Sequence, residues 1–319
     1  MVNIAVAGGS GNVANTLLRS VIASDKHHVT IFTRSSTTIP TTSPPNVTYQ
    51  TIDYTNQAAL VSALTGIEVC LSFLVAHLDT DCTVQKNLIR ACIAAGVPRF
   101  APSEWSIRSD NAIPEYGNKD IIANYLAELN SKEKVLEYCL FQPSIFLDYF
   151  AHPYPPTPPL FTWPFFIDFS TRHAILLEDG DIPINFTSAH DVSEILRRAI
   201  EDPRPWPVVG GIQGCRTTMA SILELGKRLR GGEWTVERVT VEDIKRGDLK
   251  TEWVPKMDHQ AIPVDYQEVY SRKFVITFLQ AMIRGAWEVS GEWNERFPEY
   301  KFVEPEGLLG GIWGEKDGV

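Results

Sequence analysis

The sequence predicts an α/β protein in which a doubly wound parallel sheet carries a smaller α/β lobe. Three observations predict it. Through the first 142 residues, short apolar runs alternate with segments of helical periodicity, the pattern of β-α crossover units. A glycine-rich turn, Gly8-Gly-Ser-Gly11, joins the first apolar run to the first helix. From about Ser144 the alternation gives way to an aromatic, proline-rich stretch and then to mixed elements.

Ile4, Ala5, Val6 and Ala7 make the first strand, and Val13, Leu17, Leu18, Val21 and Ile22 then recur at the spacing of one helix face. A helix that opens on glycines presents unpaired backbone N–H groups and the positive end of its dipole, so a pyrophosphate can lie against it. Gly8 is expected to make the turn and Gly11 to allow close approach, with Ser10, Asn12 and Val13 completing the loop and small Ala14 letting helix and strand pack. A glycine turn by itself is weak evidence; strand before and amphipathic helix after are the context that supports it. Further strands are read at His28–Arg34, Val47–Ile52, Glu68–Leu74, Arg99–Pro102 and Val135–Gln142, with helices at Gln57–Leu64, Thr83–Ala95 and Asn118–Asn130. Ser35 to Asn46 is a loop by its Ser, Thr and Pro content. Several strands are apolar throughout, which places helices on both faces of the sheet. Residues 1–150 therefore read as a Rossmann-type dinucleotide-binding domain.

Residues 146–166 hold eight aromatics among six prolines. Two readings stay open: a wall that packs on a flat ligand, or a loop that glues two domains together. Beyond it, Ala174–Phe186 reads as short strands, Asp191–Ile200 and Met219–Leu229 as helices, Glu233–Val241 as a strand and Tyr270–Trp287 as a long apolar helix. No clean crossover units are visible, so 151–319 is assigned mainly to a substrate-binding lobe.

The chain has 29 Lys and Arg against 39 Asp and Glu, a net charge of −10, which argues against a nucleic-acid partner because that binding is carried by basic side chains. Its five cysteines (Cys70, Cys82, Cys92, Cys139, Cys215) are scattered without metal-ligand or CxxC spacing, so no metal is expected and reduced thiols are. The first strand begins at once, leaving no room for a signal peptide, and no apolar run approaches the roughly 20 residues of a membrane span. The expectation is a cytoplasmic protein with a small-molecule substrate and no membrane partner, a homodimer being left open. The sequons at Asn46 and Asn185 are then chance occurrences.

Arg34 ends the second strand. An acidic residue there would hold the ribose 2′-hydroxyl of NAD, whereas an arginine attracts a 2′-phosphate, so with Ser35 beside it the site is expected to prefer NADP. Lys119 falls on the stripe of Ile122, Ala123 and Leu126 in the first turn of its helix, where burial and the dipole both disfavour a cation. Two local costs on one residue point to function, and a partly desolvated lysine titrates in a useful range. Ser103, just past the fifth strand, is placed to bond a substrate oxygen or the nicotinamide ribose, while Glu104 reads equally as a loop or helix cap. Near the carboxyl ends of the fourth and sixth strands, Phe73, Leu74 and Pro143 are assigned to the cofactor. His77, Trp105, Phe146 and Tyr149 are assigned to the substrate.

With these residues the chain resembles the NmrA-like and isoflavone-reductase-like family of atypical short-chain dehydrogenases. The matching pieces are Gly8-Gly-Ser-Gly-Asn-Val-Ala14, Phe32-Thr-Arg34, Ala95-Gly-Val-Pro-Arg-Phe-Ala-Pro-Ser-Glu-Trp105 and Lys119 ahead of Tyr125-Leu126. Asn185-Phe-Thr-Ser-Ala-His-Asp-Val192 is similar to the family's return segment, so about 184–205 is expected to rejoin the nucleotide domain. The resemblance implies NADPH in a cleft between two lobes and a reductase-branch lysine at position 119. The chain departs from the pattern at Ala14, in place of a third glycine, and at Trp105-Ser106, in place of an aromatic-glycine pair. There is no Tyr-x-x-x-Lys pair; Tyr116-Gly-Asn-Lys119 is one residue short, which does not support a tyrosine acid. The expected function is NADPH-dependent reduction of a small aromatic or conjugated substrate, assisted by Lys119. The alternatives are an NADP-binding redox sensor without turnover and an NADP-containing enzyme catalysing a rearrangement.

Overall fold

The computed structural model describes residues 1–111, 113–178, 181–259 and 262–314. The nucleotide half runs β1 (Asn3–Ala7), α1 (Asn12–Leu17), α2 (Arg19–Ala23), β2 (His28–Thr33), β3 (Val47–Thr51), α3 (Gln57–Leu64), β4 (Val69–Ser72), α4 (Thr83–Ala95), β5 (Arg99–Ala101), α5 (Gly117–Leu129), β6 (Glu137–Tyr138) and β7 (Leu140–Gln142). There follow β8 (Ile145–Phe146), β9 (Ile167–Asp168), β10 (His173–Leu177), β11 (Ile184–Thr187), α6 (Ala189–Glu201), β12 (Val209–Gly211) and β13 (Cys215–Thr217). The chain ends with α7 (Met219–Arg230), β14 (Thr235–Val239), α8 (Val241–Arg246), α9 (Gln267–Ile283), α10 (Glu292–Arg296) and α11 (Pro305–Trp313).

Six strands form a parallel sheet in the order β3-β2-β1-β4-β5-β6, the doubly wound arrangement with its switch between β1 and β4. Its central strands are buried on both faces: Ile4 to Ala7 and Cys70 to Ser72 are inaccessible, covered by Leu17, Leu18 and Val21 on one side and Leu60, Leu88 and Ile89 on the other. The single strand expected over Val135–Gln142 is divided at Cys139. β5 has only three residues to offer, so β6 pairs with it, and β7 then pairs in parallel with β12. The first helix likewise divides at Leu18 into α1 and α2. α6, whose Ser188 Oγ accepts from Asp191 N at 3.0 Å, lies against α1 and α2.

Around the aromatic stretch a second core forms from Phe150, Phe165, Phe166, Phe169, Phe186, Phe278, Trp287 and Trp313. β10 runs between β9 and β14, and of the short-strand region at 174–186, residues 179 and 180 lie outside the described residues. Asn185 is fully buried, its Oδ1 accepting from Val289 N, and Asn46 Nδ2 donates to Ile22 O, so neither sequon presents its amide for modification. All five cysteines are free thiols. Among the described residues no helix is long and apolar enough to cross a membrane.

Candidate active site

The glycine turn is pressed against the end of β4. Gly8 has φ +73°, and a Cβ there would lie 2.7 Å from the Phe73 carbonyl and 2.9 Å from Leu74 N, so only glycine fits. A Cβ on Gly9 would meet Ile31 Cγ2 at 2.7 Å, whereas one on Gly11 would meet only Gly8 O at 3.4 Å. Gly9 takes up tight packing that the sequence did not assign to it, and Gly11, exposed with Ser10, leaves the start of α1 open to close approach. No side chain caps that start, so its first N–H groups are free for an anion. Arg34, exposed one residue beyond β2, has no hydrogen-bond or ion-pair partner among the described residues, while Ser35 Oγ accepts from Thr37 N. Tyr54, missed in the sequence, is buried beside this turn, where the Gly8 backbone and the Arg34 charge both bear on its hydroxyl.

Beyond the turn opens a cavity of about 590 Å³ that brings together Val13, Phe73, Leu74, His77, Ser103, Trp105, Lys119, Phe146 and Tyr149. Pro143, though buried, lies outside its lining, as do Gly8, Ser10, Gly11, Asn12, Arg34 and Ser35 around the turn. Lys119 is the only lysine or arginine among the described lining residues. Its ammonium donates to the Glu104 carbonyl at 2.5 Å and stands 3.9 Å above the Tyr116 ring. Burial pulls its pKa down to about 8, against the opposing pull of Glu104 and Asp120.

Glu104 is no cap. Its carboxylate is buried behind Lys119, Oε2 accepting from Ser109 Oγ at 3.1 Å, and Oε1 has no hydrogen-bond partner among the described residues. Burial raises its pKa, with Lys119 working the other way. Ser103 is anchored at the end of β5 by Gln85 Oε1, which accepts from its N–H at 2.8 Å. Trp105 bounds the cavity from within the core: its indole stacks on Phe73 at 4.5 Å and Phe141 at 5.2 Å and donates to Ser72 O at 2.7 Å. It does so from a left-handed backbone with φ +44°. Burial lowers the His77 pKa, favouring its neutral form.

Five of the eight aromatics in 146–166 line the cavity (Phe146, Tyr149, Phe161, Trp163, Phe165), while Phe150, Tyr154 and Phe166 do not. The stretch is wall and glue at once. The lining also includes Met257, Tyr270, Phe274 and Phe278, none of them assigned to the site in the sequence. The last three recur at i, i+4 and i+8 on α9, a stripe that was legible as an aromatic face.

A doubly wound sheet with a glycine cradle at its switch point, an arginine beyond β2 with no partner among the described residues and an aromatic-lined cavity define an α/β protein of the dinucleotide-binding type. Within that class the chain belongs to the NmrA-like family, whose model matches residues 2–275. It is 26% identical over 274 residues to the oxidoreductase swnN of Metarhizium robertsii, covering 78% of this chain and 80% of that protein. With the oxidoreductase BOA1 of Botryotinia fuckeliana it shares 26% identity over 241 residues, covering 73% and 78%. Among solved structures, AtPrR2 with NADP+ and (+)pinoresinol has a like fold, with a TM-score of 0.69 at 16% identity and 98% of each chain covered.

Proposed function

We propose that the protein is an NADPH-dependent reductase of a flat, aromatic or conjugated small molecule. The observation that carries this reading is the cavity itself, which sets one partly desolvated ammonium, Lys119, against an almost wholly aromatic wall next to the glycine turn. The family's oxidoreductase relatives and the fold of a protein solved with NADP+ and (+)pinoresinol support it.

The residues fit the cofactor. Gly8 and the uncapped start of α1 would take the pyrophosphate, and Arg34, with no partner among the described residues, the 2′-phosphate. Val13, Phe73 and Leu74 line the passage from turn to cavity. Bound NADPH supplies a hydride. The chain's part is to stack the substrate between Phe146, Tyr149, Trp163 and Phe278, to exclude water, and to hold positive charge at Lys119 where a substrate oxygen gains electrons. Ser103 would bond the same substrate or the nicotinamide ribose. The experiment is to incubate the protein with NADPH and a panel of conjugated ketones, imines and alkenes, and to weigh the products. A product two hydrogens heavier, with matching NADPH loss, is expected. Unchanged mass would indicate a rearrangement, and NADPH binding without consumption a sensor.

A further inference from the structure

Lys119 and Ser103 make one polar pole of the cavity. The lining holds a second, formed by Glu115, Tyr270 and His77. They come from three places: the turn Pro114–Tyr116, the first turn of α9 and the turn Ala76–Leu78 after β4. This is the solvent end of the cavity, since His77 is exposed and so, beside it, is Leu78 at 74%. Glu115 ties that end to the lobe, its Oε1 accepting from Lys273 Nζ of α9 at 2.9 Å.

The other carboxylate oxygen is the informative one. Glu115 Oε2 is inaccessible to water and has no hydrogen-bond partner among the described residues. A shielded acceptor without a donor is costly unless a ligand supplies one. The Glu115 charge bears on both His77 and Tyr270, yet neither side chain bonds to it or has another hydrogen-bond partner among the described residues. Burial raises the Tyr270 pKa, with the Glu115 charge adding to it, and burial lowers that of His77 against the Glu115 pull, so phenol and imidazole stand as neutral donors at pH 7. The pole thus offers one acceptor that cannot donate beside groups that can, in a cavity otherwise walled by rings. Lys273 already balances the carboxylate's charge, so a neutral group that donates and accepts at once fits it better than a cation. The terminal carboxylate torsion is soft, and the Lys273 side chain, 58% exposed, can follow as Oε2 turns toward a ligand.

We infer that Glu115 is a specificity-determining residue that accepts a hydrogen bond from a substrate hydroxyl at the solvent end of the cavity, while Tyr270 donates to the same hydroxyl. The inference rests on the reductase reading and narrows its substrate to a conjugated molecule with a hydroxyl at the end remote from the reacting carbon. An ether or a methyl there leaves Oε2 without its donor. Tyr270 and Lys273 both belong to α9, so the pole is set by the lobe helix that also carries Phe274 and Phe278.

The test uses the protein saturated with NADP+, which cannot reduce a ligand, and three probes of nearly one shape: 4-hydroxy-, 4-amino- and 4-methylbenzylideneacetone. Affinities are read from quenching of tryptophan fluorescence. Glu115→Ala should weaken the hydroxy probe about tenfold or more, as loss of a hydrogen bond to a charged group does, and leave the methyl probe within about twofold. Glu115→Gln keeps an oxygen for Lys273 and a neutral acceptor; it should cost the hydroxy probe about threefold and serves if Glu115→Ala does not fold. Tyr270→Phe should cost the hydroxy probe about threefold and the amino probe, a poor acceptor, less than about twofold. Equal losses for the hydroxy and methyl probes, or none for the hydroxy probe, would overturn the assignment and leave the reductase reading, tested by product mass, standing. An amino probe that binds tighter than the hydroxy probe and loses more in Glu115→Ala would overturn the hydroxyl in favour of an amine. Failure of all three probes to bind the parent protein would sink the aromatic-substrate reading and this inference with it.

Discussion

On the sheet side of the cavity, Ser103, Glu104, Ser106, Tyr116 and Lys119 all come from one β-α crossover; on the lobe side, Phe146 to Phe165 face Phe274 and Phe278 from more than a hundred residues later. The first wall is polar and holds the titratable groups, and the second is nearly all ring. A parallel crossover fixes where its residues end up, just beyond the carboxyl end of a strand, so chemistry placed there stays put while the facing lobe varies. On the proposed reading, reaction type belongs to the first wall and substrate choice to the second.

The sharpest way to break that division is Lys119→Ala. If the ammonium acts on developing charge, turnover should fall about 10²- to 10³-fold, while NADPH affinity, measured by fluorescence titration, moves less than about threefold. A smaller effect is expected across the cavity. Trp163 touches Tyr149 at 4.3 Å and Phe274 at 5.5 Å, and Trp163→Leu keeps an apolar filling without the stacking face. It should raise KM about tenfold, the worth of an aromatic contact, with kcat nearly unchanged. A collapse of kcat at constant KM would mean that the lobe wall also carries chemistry.

The two walls were unequally legible beforehand. Gly8, Arg34, Ser103 and Lys119 could be read because each is tied to a strand end or a helix turn by local spacing, and the structure places Ile122 and Leu126 fully buried on the Lys119 stripe. Glu104 was misread as a cap because its role depends on Ser109, five residues on, and on the lysine above it. The stripe of Tyr270, Phe274 and Phe278 was visible as a face, yet only the folded chain shows that the face opposes Trp163. The division of the strand at Cys139 was also hidden, since β12, its partner, lies some seventy residues later.

The smallest expected effect concerns what the polar wall costs the fold. Burial holds Lys119 at about 8, below the ordinary 10.5. Between those values the unfolded chain binds the proton that the folded chain has already released, so this group makes stability rise with pH from about 8 to 10.5. Below pH 8 both states are protonated and the full cost of burying the ammonium is present. Lys119→Met, of similar volume, removes the charge. It should therefore melt higher than the parent at pH 7, by on the order of 2 °C, and its advantage should shrink as pH climbs through the window. Turnover should move the opposite way, falling above pH 8 as the ammonium is lost. A melting difference independent of pH, beside turnover that still falls, would place the titrating group elsewhere on the wall.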